Sequence, residues 1–180
     1  MTATEKVLYS FRGGSDGSVP YFGADLIADA NGDLFGTTIN GGANGYGTVF
    51  ELVNTGSGYT EKVLYSFSGG SDGADPVSGL IADANGDLFG TTNGGGSQNA
   101  GTVFELVKTG SGYTEKVLCS FGSGSDGASP DAGLITDATG DLFGTTLNTG
   151  PTANGGTVFE LVNTGLWLHR KGPLQLQRWF

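Results

Sequence analysis

The residues best equipped for chemistry in this chain of 180 residues are carboxylates, and they recur at fixed spacing. Asp29-Ala30-Asn31-Gly32-Asp33 puts oxygen donors at alternate positions, as the start of a calcium loop does, and Asp83, Asn85 and Asp87 repeat the arrangement. Calcium is the cofactor such a pattern would take. The continuation does not suit the ion: Gly32 falls too early for the sharp turn of such a loop, and Asn40 and Gly94 stand where a bidentate Glu is needed. In the third copy Thr139 replaces Asn between Asp137 and Asp141. A hairpin turn explains the same residues and is the favoured reading.

Asp16, Asp72 and Asp126 sit in Gly-Ser-Asp-Gly loops. A ring of such loops would bind a sugar or calcium, and the competing reading is a local turn whose carboxylate accepts nearby backbone N–H groups. Glu51, Glu105 and Glu160 could supply the paired carboxylates of glycoside hydrolysis. An acid and a base must differ in environment, whereas repeated positions resemble one another, so exposed strand charge is expected instead. Cys119 replaces Tyr9 and Tyr65 of the other copies, and nothing places the single His169 beside it. No nucleophile has a base, and no catalytic residue is assigned.

Charge narrows the partners. Lys and Arg total 8 against 18 Asp and Glu, a formal net charge of -10, which repels phosphate and excludes nucleic acid as a partner. No apolar run approaches the roughly 20 residues of a membrane span, and Met1-Thr2-Ala3-Thr4-Glu5 lacks the features of a signal peptide. One Cys makes no intrachain disulfide, and one His without a Cys pair makes no zinc site of the usual spacing.

The elements that must position these groups are legible from self-comparison. Glu-Lys-Val-Leu begins at 5, 61 and 115, Gly-Asp-Leu-Phe-Gly-Thr-Thr at 32, 86 and 140, and Gly-Thr-Val-Phe-Glu-Leu-Val at 47, 101 and 156, so the period is 54 to 56 residues. Each unit reads as four short strands: residues 26–29, 33–38, 48–53 and 59–67 in the first. Asn31-Gly32 is a hairpin turn, and residues 54–58, rich in small residues, form a second. Tyr59, Glu61, Val63, Tyr65 and Phe67 alternate with Thr60, Lys62, Leu64 and Ser66, the period of two of a strand with two unlike faces. The expected fold is all-β and β-propeller-like, an incomplete propeller of about three four-stranded antiparallel blades with boundaries near 12, 68 and 122. A β-solenoid is the alternative, disfavoured because its coils are shorter and need no pair of hairpins.

The ordered recurrence of Leu-Ile-Ala-Asp-Ala-Asn-Gly-Asp-Leu-Phe-Gly-Thr-Thr, then Gly-Gly, then Gly-Thr-Val-Phe-Glu-Leu, resembles the bacterial Gloeobacter/Verrucomicrobia-type tandem repeat, over residues 5–165. The resemblance implies a secreted or surface-anchored bacterial protein with more units than these. It implies no catalytic or binding residues.

Residues 166–180 break the repeat. Inserting one G into a reading of the peptide that should follow Thr164 yields Gly165 to Phe180 in order and then a stop. The segment is therefore expected to be a frameshifted, non-native tail, which the encoding DNA would show. The competing reading is an amphipathic partner- or membrane-binding segment carrying Trp167, Arg170, Lys171 and Trp179, in which Gly172-Pro173 would break a helix. At the other end Thr4-Glu5 aligns with Thr60-Glu61 inside a fourth strand, so the N-terminal strand could complete the last blade. Three blades strain a ring, which leaves an open piece that self-associates through blade faces, or two chains forming six blades. The sequence thus predicts a non-catalytic binding or structural module from a larger secreted or surface protein. Its glycan or protein ligand would meet loops such as 13–17 and 41–45, and the alternative is part of a propeller enzyme acting on extracellular polysaccharide.

Overall fold

The computed structural model describes residues 3–21, 23–122, 125–150 and 153–164, so the tail beyond 165, with His169, lies outside the described residues. The described chain is all-β, as expected, and is built from three antiparallel sheets. The first runs in the order β1 (Ile27–Ala28), β2 (Leu34–Thr38), β3 (Thr48–Asn54), β4 (Tyr59–Ser66). The second repeats it with β5 (Ile81–Ala82), β6 (Leu88–Thr92), β7 (Thr102–Thr109) and β8 (Gly112–Ser120). The third contains β9 (Ile135–Thr136), β10 (Leu142–Gly150) and β11 (Ala153–Leu161), three strands among the described residues, as the break in the repeat after Thr164 predicts. Residues 5–11, expected as a fourth strand, carry no strand pairing.

Each sheet is a meander of neighbouring strands joined by hairpins, which is blade geometry and removes the solenoid alternative. Gly32, Gly86 and Gly140 take positive φ of 80°, 83° and 86° at the tip of the first hairpin, the conformation that the Asn-Gly and Thr-Gly steps supply most cheaply. Identical sequence gives identical register: Val49 faces Tyr65 and Phe50 faces Val63 across a bulge, as Val103 faces Cys119 and Phe104 faces Val117.

The sheets stack face to face, because each is too thin to bury its apolar residues alone. Phe35, Val49 and Phe67 of the first unit pack with Leu80, Leu88 and Phe104 of the second, and Phe89, Val103 and Phe121 pack with Leu134, Leu142 and Phe159. At each seam a Phe just past the fourth strand meets a Phe on the next sheet's third strand. Phe67–Phe104 centroids are 5.2 Å apart and Phe121–Phe159 5.0 Å, and Phe11 repeats the contact on Phe50 at 4.9 Å. Polar struts join the sheets as well. The Thr37 hydroxyl donates to Ser78 O at 3.0 Å and Thr91 to Ala132 O at 3.3 Å.

Candidate functional site

The carboxylates singled out from sequence occupy the hairpin tips, the loop ends and the seams between sheets. At the tips, Asp29 Oδ1 accepts the backbone N–H of Asn31 and of Asp33 at 2.9 and 3.0 Å, and Oδ2 accepts Asn31 Nδ2 at 3.0 Å. Asp83 is held in the same way by Asn85 and Asp87, and Asp137 by Thr139 and Asp141. The second Asp of each motif clamps the turn to the end of the third strand: Asp33, Asp87 and Asp141 accept the N–H of Asn54, Lys108 and Asn163, each at 2.6 Å. Donors thus engage both oxygens of Asp29 and Asp83 and one oxygen of Asp33 and Asp87, in competition with any cation. No group of three or more acidic, His or Cys side chains among the described residues is arranged to hold a metal ion.

At the loop ends, Asp16 accepts Tyr9 Oη at 3.0 Å and the N–H of Arg12 and Gly14 at 2.9 and 3.2 Å. Asp72 accepts Tyr65 Oη at 2.9 Å, Ser68 N–H at 2.8 Å and the Ser68 hydroxyl. Asp126 accepts Gly122 N–H at 3.2 Å, and Cys119 stands where the tyrosine does in the other units. The Arg12 N–H and the other donors hold the Asp16 carboxyl below its usual range. Burial alone would raise Asp72, but the donors from Ser68 and Tyr65 outweigh it and leave that carboxyl lowered too. These loops are stitched to the longer ones beside them by Gly42 N–H to Gly14 O and Gly96 N–H to Gly70 O, at 3.0 and 2.9 Å. One end of each unit therefore gathers loops 13–17 and 39–46, or 69–73 and 93–100. Residues 43–46 and 97–99 are exposed there.

The strand glutamates correct the expectation of exposed charge. Glu105 is fully buried and pairs with Lys116 at 3.4 Å, Glu51 is half-buried and pairs with Lys62 at 3.5 Å, and only Glu160 is exposed. Burial raises the Glu105 carboxyl, and Lys116 offsets part of that rise.

Sequence reasoning passed over Glu61 and Glu115, one residue before that lysine position in each unit. Both carry a buried Oε1 without a hydrogen-bond partner. Burial first, and then the negative charge of Asp72, push the Glu115 carboxyl up to about 7, while burial and Asp16 raise Glu61. Tyr65, whose hydroxyl donates to Asp72, is raised by the same surroundings. The period-two pattern of the fourth strand was the available signal, since it places Glu115 on the same face as Val117, while the bulge beyond turns Cys119 to the other face. A carboxyl raised by burial thus stands in the field of one lowered by its donors, Glu115 with Asp72 at the seam of the first two sheets and Glu61 with Asp16 on the first sheet. Beside it, β4 and β8 flank an open polar cleft of about 250 Å³ lined by Lys62, Leu64, Ser111 and Tyr113. Burial, with Glu51 and Asp87 nearby, pushes the Tyr113 hydroxyl up to about 12, so it remains a donor, to Gly86 O at 3.2 Å. Cys119 is held as the thiol by burial, with Asp126 adding to the rise, so it offers no nucleophile.

Comparison with protein-family models matches residues 1–169 to the Gloeobacter/Verrucomicrobia repeat. Among solved structures the chain is similar to the X-ray structure of a candidate gluconolactonase at 18% identity, with a TM-score of 0.43, over 69% of this chain and 41% of that one. The chain therefore spans less than half the length of that structure. Comparison with curated proteins gives no match.

Proposed function

Since the chain belongs to the Gloeobacter/Verrucomicrobia repeat family, we propose that it is a non-catalytic module for binding or scaffolding within a larger secreted or cell-surface bacterial protein. One observation carries the reading: the Asp and Thr side chains that recur from unit to unit are consumed in building that unit. Asp16 and Asp72 anchor loops, Asp29 and Asp83 close hairpins, and Thr38–Thr48 and Thr92–Thr102 hydroxyl pairs at 2.8 Å tie strands together. The exposed loops differ between units: Asn44 and Tyr46 of the first correspond to Gln98 and Ala100 of the second. Amides and an aromatic ring on an acidic protein suit a neutral glycan better than an anionic one. The test is a glycan array on the purified chain: retention of neutral glycans, weakened by Tyr46→Ala, supports the reading, and uniform absence of binding defeats it.

The split between Glu115 and Asp72 favours a second reading, a propeller enzyme acting on extracellular polysaccharide, because an acid and a base with separated proton affinities are what glycoside hydrolysis needs. Against it, Asp72 already accepts hydrogen bonds from the Tyr65 hydroxyl and from Ser68, so no oxygen is poised over a substrate. Release of reducing ends from polysaccharide, abolished by Glu115→Gln, would establish the enzyme.

A further inference from the structure

Going beyond that reading, we infer that Asn44 is a site of spontaneous covalent modification: in the folded chain it loses its side-chain amide to attack by the Gly45 nitrogen, ahead of the other Asn-Gly steps at 31, 40, 85 and 93, and becomes aspartate or isoaspartate. Local sequence alone makes no such choice. Six Asn-Gly steps occur, beginning at 31, 40, 44, 85, 93 and 154, and each sets a side-chain amide beside a backbone nitrogen that no Cβ of its own residue shields. The reaction is an intramolecular substitution that needs only water. The Gly45 nitrogen adds to Cγ of Asn44, and its proton passes through solvent to the departing Nδ2, which leaves as ammonia and closes a five-membered succinimide. Water then opens the ring. Attack at Cγ restores the normal chain with an aspartate, and attack at the α-carbonyl leaves the chain routed through the side chain as isoaspartate.

Ring closure needs the glycine N–H free and the amide able to turn onto it, and the steps at 31, 40, 85 and 93 are held against this. At the hairpin tips Gly32 N–H donates to Asp29 O and Gly86 N–H to Asp83 O, each at 3.1 Å. There Asn31 Nδ2 donates to Asp29 Oδ2 at 3.0 Å and Asn85 Nδ2 to Asp83 Oδ2 at 2.9 Å. Gly94 N–H donates to Ala74 O at 3.0 Å, and Asn93 Nδ2 donates to Asp131 Oδ1. Asn40 is clamped through its backbone, its N–H donating to Ser18 O at 3.2 Å and its O accepting Ser18 N–H at 2.7 Å. A Cβ on Gly41 would lie 2.6 Å from Gly17 Cα, so that step has no room to turn. Asn44 escapes these restraints. Gly45 N–H donates no hydrogen bond among the described residues, and a Cβ there would meet nothing within 4 Å. The Asn44 amide makes one long hydrogen bond, from Nδ2 to Phe67 O at 3.4 Å, and both residues of the step are exposed. Opening two hydrogen bonds of ordinary net strength reduces a reactive population roughly 5- to 30-fold, which is the lead expected of Asn44 over Asn31, Asn85 and Asn93.

The change falls where it alters the seam of the first two sheets. Loop 43–46 is anchored at one end by Ala43 N–H on Ser66 Oγ at 2.9 Å, and at the other by Tyr46 O, which accepts Asp75 N–H at 3.0 Å. The Tyr46 ring lies against Gly69, 2.6 Å from where a Cβ would stand. Both products put a carboxylate in place of Nδ2, which cannot donate to Phe67 O and is repelled by it. Isoaspartate also lengthens the backbone between the two anchors. Gln98 holds the corresponding place in the second unit and is followed by Asn99 instead of glycine, so the seam of the second and third sheets lacks the step. Modification therefore loosens the first seam and spares the second.

The experiment incubates the full folded chain in heavy-oxygen water at mildly alkaline pH and maps its peptides by mass spectrometry, since ring opening leaves a heavy oxygen at each modified position. Label is expected at position 44 roughly 5- to 30-fold faster than at 31, 85 and 93. The chain unfolded in urea is expected to label 31, 40, 44, 85 and 93 at similar rates, because the hydrogen bonds that set them apart are gone. Gly45→Ala is expected to slow labelling at 44 and nowhere else. Asn44→Asp, which supplies one of the products directly, is expected to speed hydrogen exchange at Asp75 N–H relative to Ser129 N–H, its counterpart on Ala100 O at the second seam. Equal labelling of 44 and the hairpin-tip positions in the folded chain, or labelling of 44 only after unfolding, would overturn the assignment. Unchanged exchange at Asp75 would overturn the loosening of the seam.

Discussion

Glu115→Gln tests whether seam burial controls a proton. Glu115 lies on β8 opposite Leu106, with its Oε1 buried and unpartnered, and burial together with the charge of Asp72 pushes it up to about 7. In the unfolded chain the same carboxyl titrates near its ordinary 4.5. Between those values the folded protein holds a proton that the unfolded chain has released, so this group's stabilisation is complete below about 4.5 and is lost as the pH rises through about 7. A tenfold change in proton affinity is worth about 1.4 kcal/mol, which would make the full effect on the order of 3 kcal/mol in a dry site. Glu115 is only half-buried, so water screens the effect to about 1–2 kcal/mol. Glutamine keeps the shape of the protonated acid and cannot ionise. The variant is therefore expected to match the parent near pH 4.5 and to be more stable by about 1–2 kcal/mol at pH 8.5, or a few degrees in Tm for a chain of this length. The assay is urea unfolding followed by far-UV circular dichroism at both pH values and one fixed protein concentration, because assembly would otherwise alter the midpoint. Parallel pH profiles for the two proteins, or a variant less stable than the parent at pH 8.5, would refute the reasoning.

Other outcomes follow from the same contacts. Lys116→Met strands the fully buried Glu105 and should cost about 2–3 kcal/mol, whereas Lys62→Met, whose partner Glu51 is 15% exposed, should cost under about 1 kcal/mol; equal urea midpoints would contradict this. Gly90→Ala places a Cβ 2.6 Å from Phe104 Cζ and 3.0 Å from Leu80 Cδ2 and should destabilise by about 1–3 kcal/mol in the same assay. Gly58→Ala, whose Cβ meets nothing within 4 Å, should be neutral. Millimolar calcium should leave Tm unchanged, because the carboxylates of Asp29 and Asp83 are already engaged by backbone N–H groups. A site filled at 100 times its Kd would instead add about 2.7 kcal/mol, so a rise of several degrees would restore the metal reading.

The repeat period, the Asn-Gly hairpins and the alternation of the fourth strand were legible because they are local: turn chemistry and side-chain period act over a few residues, and three copies reinforce one another. Strand limits shifted by only a residue or so, as when residues 26–29 became Ile27–Ala28. The dual use of Asp83 in its turn and Asp87 as a clamp on Lys108 N–H was partly legible: the turn was foreseen, the clamp across 21 residues was not. What the sequence could not distinguish were residues that are identical in type and local context. Val49, Val103 and Val158 sit in the same Gly-Thr-Val-Phe-Glu-Leu-Val string, yet two are sealed and one is 82% exposed. Glu51, Glu105 and Glu160 pass from half-buried to buried to exposed along the same row. The raised carboxyl of Glu115 arises from burial and from the charge of Asp72, which Tyr65 of the first sheet holds at the same seam. Local sequence determined each blade, because hydrogen bonding along a hairpin depends on near neighbours. Burial and proton affinity were decided only by the stack, because both depend on which sheet, if any, lies against a face and keeps water from it.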